Sequence, residues 1–312
     1  MTFLLIAAGL MLLYFGAEWL VKGAAAAAVR LGVTPLAIGL TVVAFGTSAP
    51  ELTVSTHAAL KGLGDIAVTN VVGSNIFNIA FILGLAAAIR PIRVTKQLIR
   101  WDVPVMIAVS VLCIVLLVNR HLSRPEGLLL VAGITAYTIW TFRQAKREPD
   151  LLGLAEVPKQ GGASSGLWVP AGLAVLGLVL LVLGSKLLIA GALQLARSCG
   201  VSEAVIGLTI VSAGTSLPEL ATSVVAAVRK QADISIGNIV GSNIFNILGI
   251  LGLSSLVRPY SSPELTGWDL AMMLGTALLL LPLLRSGFVL SRKEGLFFLV
   301  LYGAYLWHLW PR

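Results

Sequence analysis

The chain has 312 residues, 57% of them hydrophobic and only 12% charged, with a mean hydropathy of +0.95. Soluble domains carry roughly 25% charged residues, so this composition excludes a soluble globular protein and identifies an integral membrane protein. The formal net charge of +8 lies in basic residues set between apolar runs, which favours membrane orientation over nucleic-acid binding as its role.

In chain order, ten apolar stretches reach the roughly 20 residues that cross a bilayer: 3–29, 34–59, 66–89, 101–118, 125–142, 167–197, 202–228, 234–256, 267–284 and 294–310. No cleavable signal peptide is expected, because the first run lacks a basic leader and continues through Glu18 towards Arg30. Loops after the odd stretches hold Arg30, Arg90, Arg93, Lys96, Arg100, Arg143, Lys146, Arg147, Lys159, Arg229, Lys230, Arg285, Arg292 and Lys293. The other side holds Lys61, Arg120, Arg124, Arg197, Arg258 and Arg312, and the 14-to-6 balance predicts both termini outside a cell membrane. Cys113 and Cys199 lie in or at the ends of apolar runs and read as buried free thiols.

Two polar strings recur at one offset of 168 residues. Gly46-Thr47-Ser48-Ala49-Pro50-Glu51-Leu52 returns as Gly214-Thr215-Ser216-Leu217-Pro218-Glu219-Leu220, and Gly73-Ser74-Asn75-Ile76-Phe77-Asn78-Ile79 returns unchanged from Gly241 to Ile247. The same offset matches Gly16 with Gly184, Asp65 with Asp233, Asn70 with Asn238, Arg90-Pro91 with Arg258-Pro259 and Ala136-Tyr137 with Ala304-Tyr305. Trp101-Asp102 and Trp268-Asp269 are one residue out of step. Five stretches per copy reverse the chain direction, so the second copy enters the membrane from the opposite side. The prediction is an all-α membrane protein of ten transmembrane helices. Residues 1–142 form one five-helix repeat, 143–166 a cytoplasmic linker, and 167–312 an inverted second repeat. Such inverted repeats mark secondary transporters with a midplane substrate site.

A carboxylate in a membrane span is costly and faces a cavity or a partner. Thr47, Ser48 and Glu51 share one helix face at spacings of four and three. Pro50 removes the hydrogen bond to the Gly46 carbonyl, so the helix is expected to break near Gly46 and Thr47 and free carbonyl oxygens. Thr215, Ser216, Pro218 and Glu219 repeat the arrangement, while Ser74 and Asn78, like Ser242 and Asn246, stand four apart on the following helix. Every donor is oxygen. Two bidentate glutamates would supply four oxygens and cancel the charge of one Ca2+, so the ligand chemistry points to Ca2+, Na+ or both. Asn75 and Asn243 suit capping of a helix break as well as ligation. Asp65 and Asp233 read as helix N-caps, and Glu18 with Lys22 reads as a local ion pair.

On these strings the chain resembles the sodium/calcium exchanger family along its whole length, in the prokaryotic form without a regulatory domain. The resemblance implies an antiporter, not an enzyme, with no cofactor, that exchanges Na+ for Ca2+ by alternating access as a monomer. It implies broken helices 2, 3, 7 and 8. It also implies ion ligands at Thr47, Ser48, Glu51, Ser74 and Asn78, at Thr215, Ser216, Glu219, Ser242 and Asn246, and at the backbone oxygens of Ala44 and Ser212. Some members carry aspartate at the position of Asn246, whereas this chain has amides at both Asn78 and Asn246. Three Na+ against one Ca2+ would make the exchange electrogenic. The competing readings are a H+/Ca2+ or other divalent-cation antiporter, a cation channel with a glutamate ring, and an intramembrane hydrolase using Ser48 or Ser216, for which no matching His base is present.

Overall fold

The computed structural model describes residues 2–147, 167–199 and 212–309. Helix α1 (Thr2–Leu31) is followed by α2 (Pro35–Thr47) and α3 (Ala49–Leu60), which form one span bent by 48°. Next come α4 (Gly64–Ile89), β1 (Ile92–Arg93), α5 (Leu98–Leu116), β2 (His121–Leu122) and α6 (Arg124–Arg147). The second half runs α7 (Trp168–Ser198), α8 (Ser212–Gly214), α9 (Leu217–Val228), α10 (Ala232–Val257), β3 (Tyr260–Ser261), α11 (Gly267–Arg285), β4 (Val289–Leu290) and α12 (Arg292–Leu309).

Among the described residues, six helices and the bent pair α2–α3 have the length and apolarity to cross a membrane. Helices α6, α9 and α12 stand where the other three expected spans fall. The first part of the seventh stretch (202–211) and residues 148–166 of the expected 143–166 linker lie outside the described residues.

The bend in the second span sits at Ser48, whose backbone (φ −81°, ψ 7°) leaves the helical region just before Pro50 in the first turn of α3. Thr34 caps the start of this span, its Oγ1 accepting the Ala37 N–H at 2.9 Å. Spans 3 and 8 are interrupted in hydrogen bonding rather than in axis. Each stays one helix, with a π-helical segment at Phe77–Leu83 in α4 and Asn246–Leu251 in α10. A π turn inserts an extra residue per turn and re-aims the side chains around it, and such turns concentrate at functional sites.

The two halves interlock. Ile92 and Arg93 of β1 pair antiparallel with Leu290 and Val289 of β4, while His121 and Leu122 of β2 pair with Ser261 and Tyr260 of β3. The segments after the third and ninth spans therefore share one face, and those after the fourth and eighth share the other. Burial ranks the helices: 89% of the most apolar window of α10 and 72% of that of α4 is buried, against 39% for α1 and 28% for α7. So α4 and α10 form the centre. Helices α1 and α7 form an outer pair in backbone contact, because a Cβ at Gly9, Gly16 or Gly23 would meet α7 main chain, and one at Gly177 or Gly184 would meet that of α1. Each half also ties its last spans together by one buried hydroxyl: Tyr137 Oη donates to Asp102 Oδ1 at 3.0 Å, and Tyr305 Oη to Asp269 Oδ1 at 2.8 Å.

Candidate cation site

Where the bent second span meets α9, the two repeated strings come together at the centre. Glu51 and Glu219 are each only 1% exposed, and Thr47, Ser48, Ser74, Asn78, Ser216, Ser242 and Asn246 are all buried around them. The pairing crosses between the halves. Ser48 Oγ donates to Glu219 Oε1 at 2.8 Å, and Ser216 Oγ donates to Glu51 Oε1 at 2.8 Å. The same hydroxyls reach the facing central helices, Ser48 to Ser242 at 3.1 Å and Ser216 to Ser74 at 3.3 Å. Thr47 Oγ1 lies 3.1 Å from Asn238 Oδ1 and 3.3 Å from the Ala44 carbonyl. That carbonyl also accepts the Ser48 N–H at 3.1 Å, so the helix keeps its hydrogen bonding up to the bend. Ser212 belongs to the short helix α8.

A second layer of amides closes the arrangement. Asn78 Nδ2 donates to Asn243 Oδ1 and Asn246 Nδ2 donates to Asn75 Oδ1, both at 3.0 Å. Asn75 and Asn243 also donate to each other's backbone carbonyls at 3.2 and 3.4 Å. Neither caps a helix end; they join α4 to α10.

Among the described residues, four buried oxygens related by the repeat have no hydrogen-bond partner: Glu51 Oε2, Glu219 Oε2, Asn78 Oδ1 and Asn246 Oδ1. Carboxylate and amide oxygens only accept, and buried polar atoms left unpaired are rare. Glu18 pairs with Lys22 and with Arg229, and among the described residues no ion pair joins a cationic side chain to Glu51 or Glu219. Two carboxylates, each with one oxygen held by a serine and one bare, ringed by hydroxyls and amides, are a donor set for a hard cation.

Several residues here escaped the sequence reading. Asn70 Nδ2 donates to Ser55 Oγ at 2.9 Å and the Glu51 carbonyl at 3.3 Å, and Asn238 Nδ2 to Ser223 Oγ at 3.0 Å and the Glu219 carbonyl at 3.5 Å. They lock each glutamate's helix to the central one. Their signal was available: Asn70, Ser74 and Asn78 stand at intervals of four, one polar stripe on an apolar helix. The fifth unpaired buried atom is Thr222 Oγ1, whose repeat counterpart is Val54. Outside the site, Asp65 does not cap its helix. Its Oδ1 accepts from Ser262 Oγ at 2.8 Å and Glu264 N at 2.9 Å, while Leu63 occupies the cap position. Both cysteines are free, but Cys199 is exposed rather than buried.

Two inverted halves around a buried, oxygen-only site define a secondary transporter for cations. The sequence profile described as "Sodium/calcium exchanger protein" matches residues 1–143 and 169–310. Sodium/calcium exchanger MaX1 of Methanosarcina acetivorans is 34% identical over 344 residues, covering 98% of this chain and 97% of that protein. Inner membrane protein YrbG of Escherichia coli is 39% identical over 264 residues, covering 82% and 79%. A solved structure of the sodium-calcium exchanger NCX_Mj, soaked with 2.5 mM Na+ and 0.1 mM Ca2+, superposes with a TM-score of 0.85 at 31% identity over 99% of both chains. The chain belongs to the sodium/calcium exchanger family; it is a multi-pass membrane cation antiporter.

Proposed function

We propose that this protein exchanges Na+ for Ca2+ by alternating access. The ions would bind Thr47, Ser48, Glu51, Ser74 and Asn78 of one half, Thr215, Ser216, Glu219, Ser242 and Asn246 of the other, and the backbone oxygens of Ala44 and Ser212. The observation that carries this reading is the pair of buried glutamates, each with one oxygen held by a serine of the opposite half and one oxygen bare. A single Ca2+ neutralises both charges and takes the bare oxygens as ligands, for which it needs six to eight in all. The Thr-Ser pair before each glutamate, Thr47-Ser48 and Thr215-Ser216, sets hydroxyl oxygens beside the carboxylate that suit a small cation, which favours Na+ over H+ as the exchanged ion.

The site has more oxygen positions than one Ca2+ needs, so three Na+ against one Ca2+ is the proposed ratio, with one net charge moved per cycle. The protein acts as a monomer in the cell membrane with both termini outside, in accord with the basic loops. The test is Ca2+ uptake into proteoliposomes under an outward Na+ gradient, with an outward H+ gradient as the second arm. Uptake driven by H+ and indifferent to Na+ would replace Na+ by protons. In the same assay Glu51→Gln and Glu219→Gln should each abolish uptake while leaving a folded protein. Near-normal uptake by either would remove the two-glutamate site.

A further inference from the structure

Away from the ion site, a cleft of about 770 Å³ opens between the end of α4, strand β1, the end of α9 and the start of α12. Among the described residues, four cationic side chains line it, Arg90, Arg93, Lys230 and Arg292, and no acidic one does. Two of them have structural duties. Arg90 Nη1 donates to the Val228 carbonyl and Arg292 Nη2 to the Ile89 carbonyl, both at 3.3 Å. Their repeat counterparts do the same on the other face, where Arg258 donates to the Leu60 carbonyl at 2.6 Å and Arg124 to the Leu256 carbonyl at 3.3 Å.

The other two cations break the repeat. Arg93 corresponds to Ser261, and Lys230 to Gly62. Lys230 holds a left-handed backbone (φ 63°), the conformation that Gly62 adopts without a side chain (φ 77°). A lysine there accepts a steric cost that glycine avoids. The wall differs as well. On the opposite face the Ser261 carbonyl rests on Gly64, where a Cβ would collide with it; in the second half the counterpart of Gly64 is Ala232, whose methyl lines the cleft. Ile89 and Val228, at the ends of two apolar helices, line the same cleft and are 41% and 52% exposed. Cation and hydrocarbon thus meet at a membrane boundary.

We infer that this cleft binds the phosphate of an anionic phospholipid headgroup, with Arg93 and Lys230 as the side chains that distinguish it from its counterpart on the other face. Guanidinium and ammonium groups at the end of membrane helices are the chemistry that holds such headgroups, and the exposed Ile89 and Val228 provide the surface along which the acyl chains leave. A free phosphate ion would use the cations but gain nothing from the apolar rim.

The test replaces both residues by those of the other repeat, Arg93→Ser with Lys230→Gly, in the full-length protein. Gly suits the left-handed backbone and Ser suits the strand, so the variant retains the fold; Arg93→Ser alone provides a second reading. Native mass spectrometry then compares retention of phosphatidylglycerol with that of phosphatidylcholine of the same chains. The unsubstituted protein should hold phosphatidylglycerol in preference, and the double variant should lose about tenfold or more of that preference. Lys96→Gln with Lys293→Gln removes two charges from the same face without touching the cleft and should leave it intact. Equal retention of the two lipids by the unsubstituted protein, or equal loss in the Lys96/Lys293 variant, would overturn the site. Displacement of the lipid by a matching excess of inorganic phosphate would also overturn it, as a site for the free ion.

Discussion

Ser48 and Glu219 are 171 residues apart and 2.8 Å from each other, and their repeat counterparts Ser216 and Glu51 make the same bond. Each glutamate is therefore positioned by the half of the protein that does not contain it. Ser48→Ala should leave Glu219 Oε1 as bare as its Oε2, and the loss of a hydrogen bond to a charged group is worth about 1.5–3 kcal/mol. Na+-driven Ca2+ uptake should fall roughly tenfold or more in Ser48→Ala and in Ser216→Ala. In a double-mutant cycle, Ser48→Ala should couple to Glu219→Gln and not to Glu51→Gln. Equal coupling to both glutamates would contradict the crossed arrangement.

The amide layer predicts a pH response in engineered proteins. Asn78 Nδ2 donates to Asn243 Oδ1. In Asn78→Asp a protonated acid can still donate, whereas an ionised one sets two acceptors face to face. The melting temperature of Asn78→Asp in buffer free of Na+ and Ca2+ should therefore fall as pH rises from acidic to neutral. Asn246→Asp should behave alike through Asn75. A melting temperature flat with pH in both proteins would show that these positions do not face the amide oxygens.

Thr222 is fully buried with an unpaired hydroxyl, and the repeat places Val54 at the equivalent position. Thr222→Val keeps the shape and removes the unsatisfied group. Stability should rise by up to about 1 kcal/mol, with Ca2+ uptake unchanged. Thermal unfolding with a parallel flux assay checks both, and a clear loss of stability would mean that the hydroxyl is satisfied in the membrane.

Glu18 is buried in α1 and binds Lys22 and Arg229 at 2.8 Å each, but those two side chains are 62% and 51% exposed. Fully buried pairs cost 3–5 kcal/mol to break, and solvent screening of the two cations lowers that here. Arg229→Ala should thus destabilise less than breaking a fully buried pair would, measured by thermal unfolding, because Lys22 still accompanies the carboxylate. A loss as large as that of a fully buried pair would mean that Lys22 gives no compensation.

Much of the site was legible because its residues are polar in an apolar background and occur twice. Thr47, Ser48 and Glu51 needed only helical spacing to be grouped, and the offset supplied their partners. Less visible were features set by neighbours distant in sequence. The π-helical turns at Phe77–Leu83 and Asn246–Leu251 leave no mark in apolar sequence, since they depend on how α4 and α10 pack. Asp65 has the form of an N-cap, yet a loop nearly 200 residues away supplies its donors. Lys22 was found by its local spacing to Glu18, whereas Arg229 lies 211 positions from it and no spacing could have shown it.

The crossed serines also bear on how such a chain could have arisen. A single five-helix half holds a glutamate without its serine and a serine without its glutamate. An ancestral half-length protein would have had to pair with a copy of itself lying upside down in the bilayer, so its insertion must have been indifferent to direction. Fusion of two copies into one chain would free the loops to acquire opposite charge biases, and the halves differ in that sense at Arg93 opposite Ser261 and at Lys230 opposite Gly62.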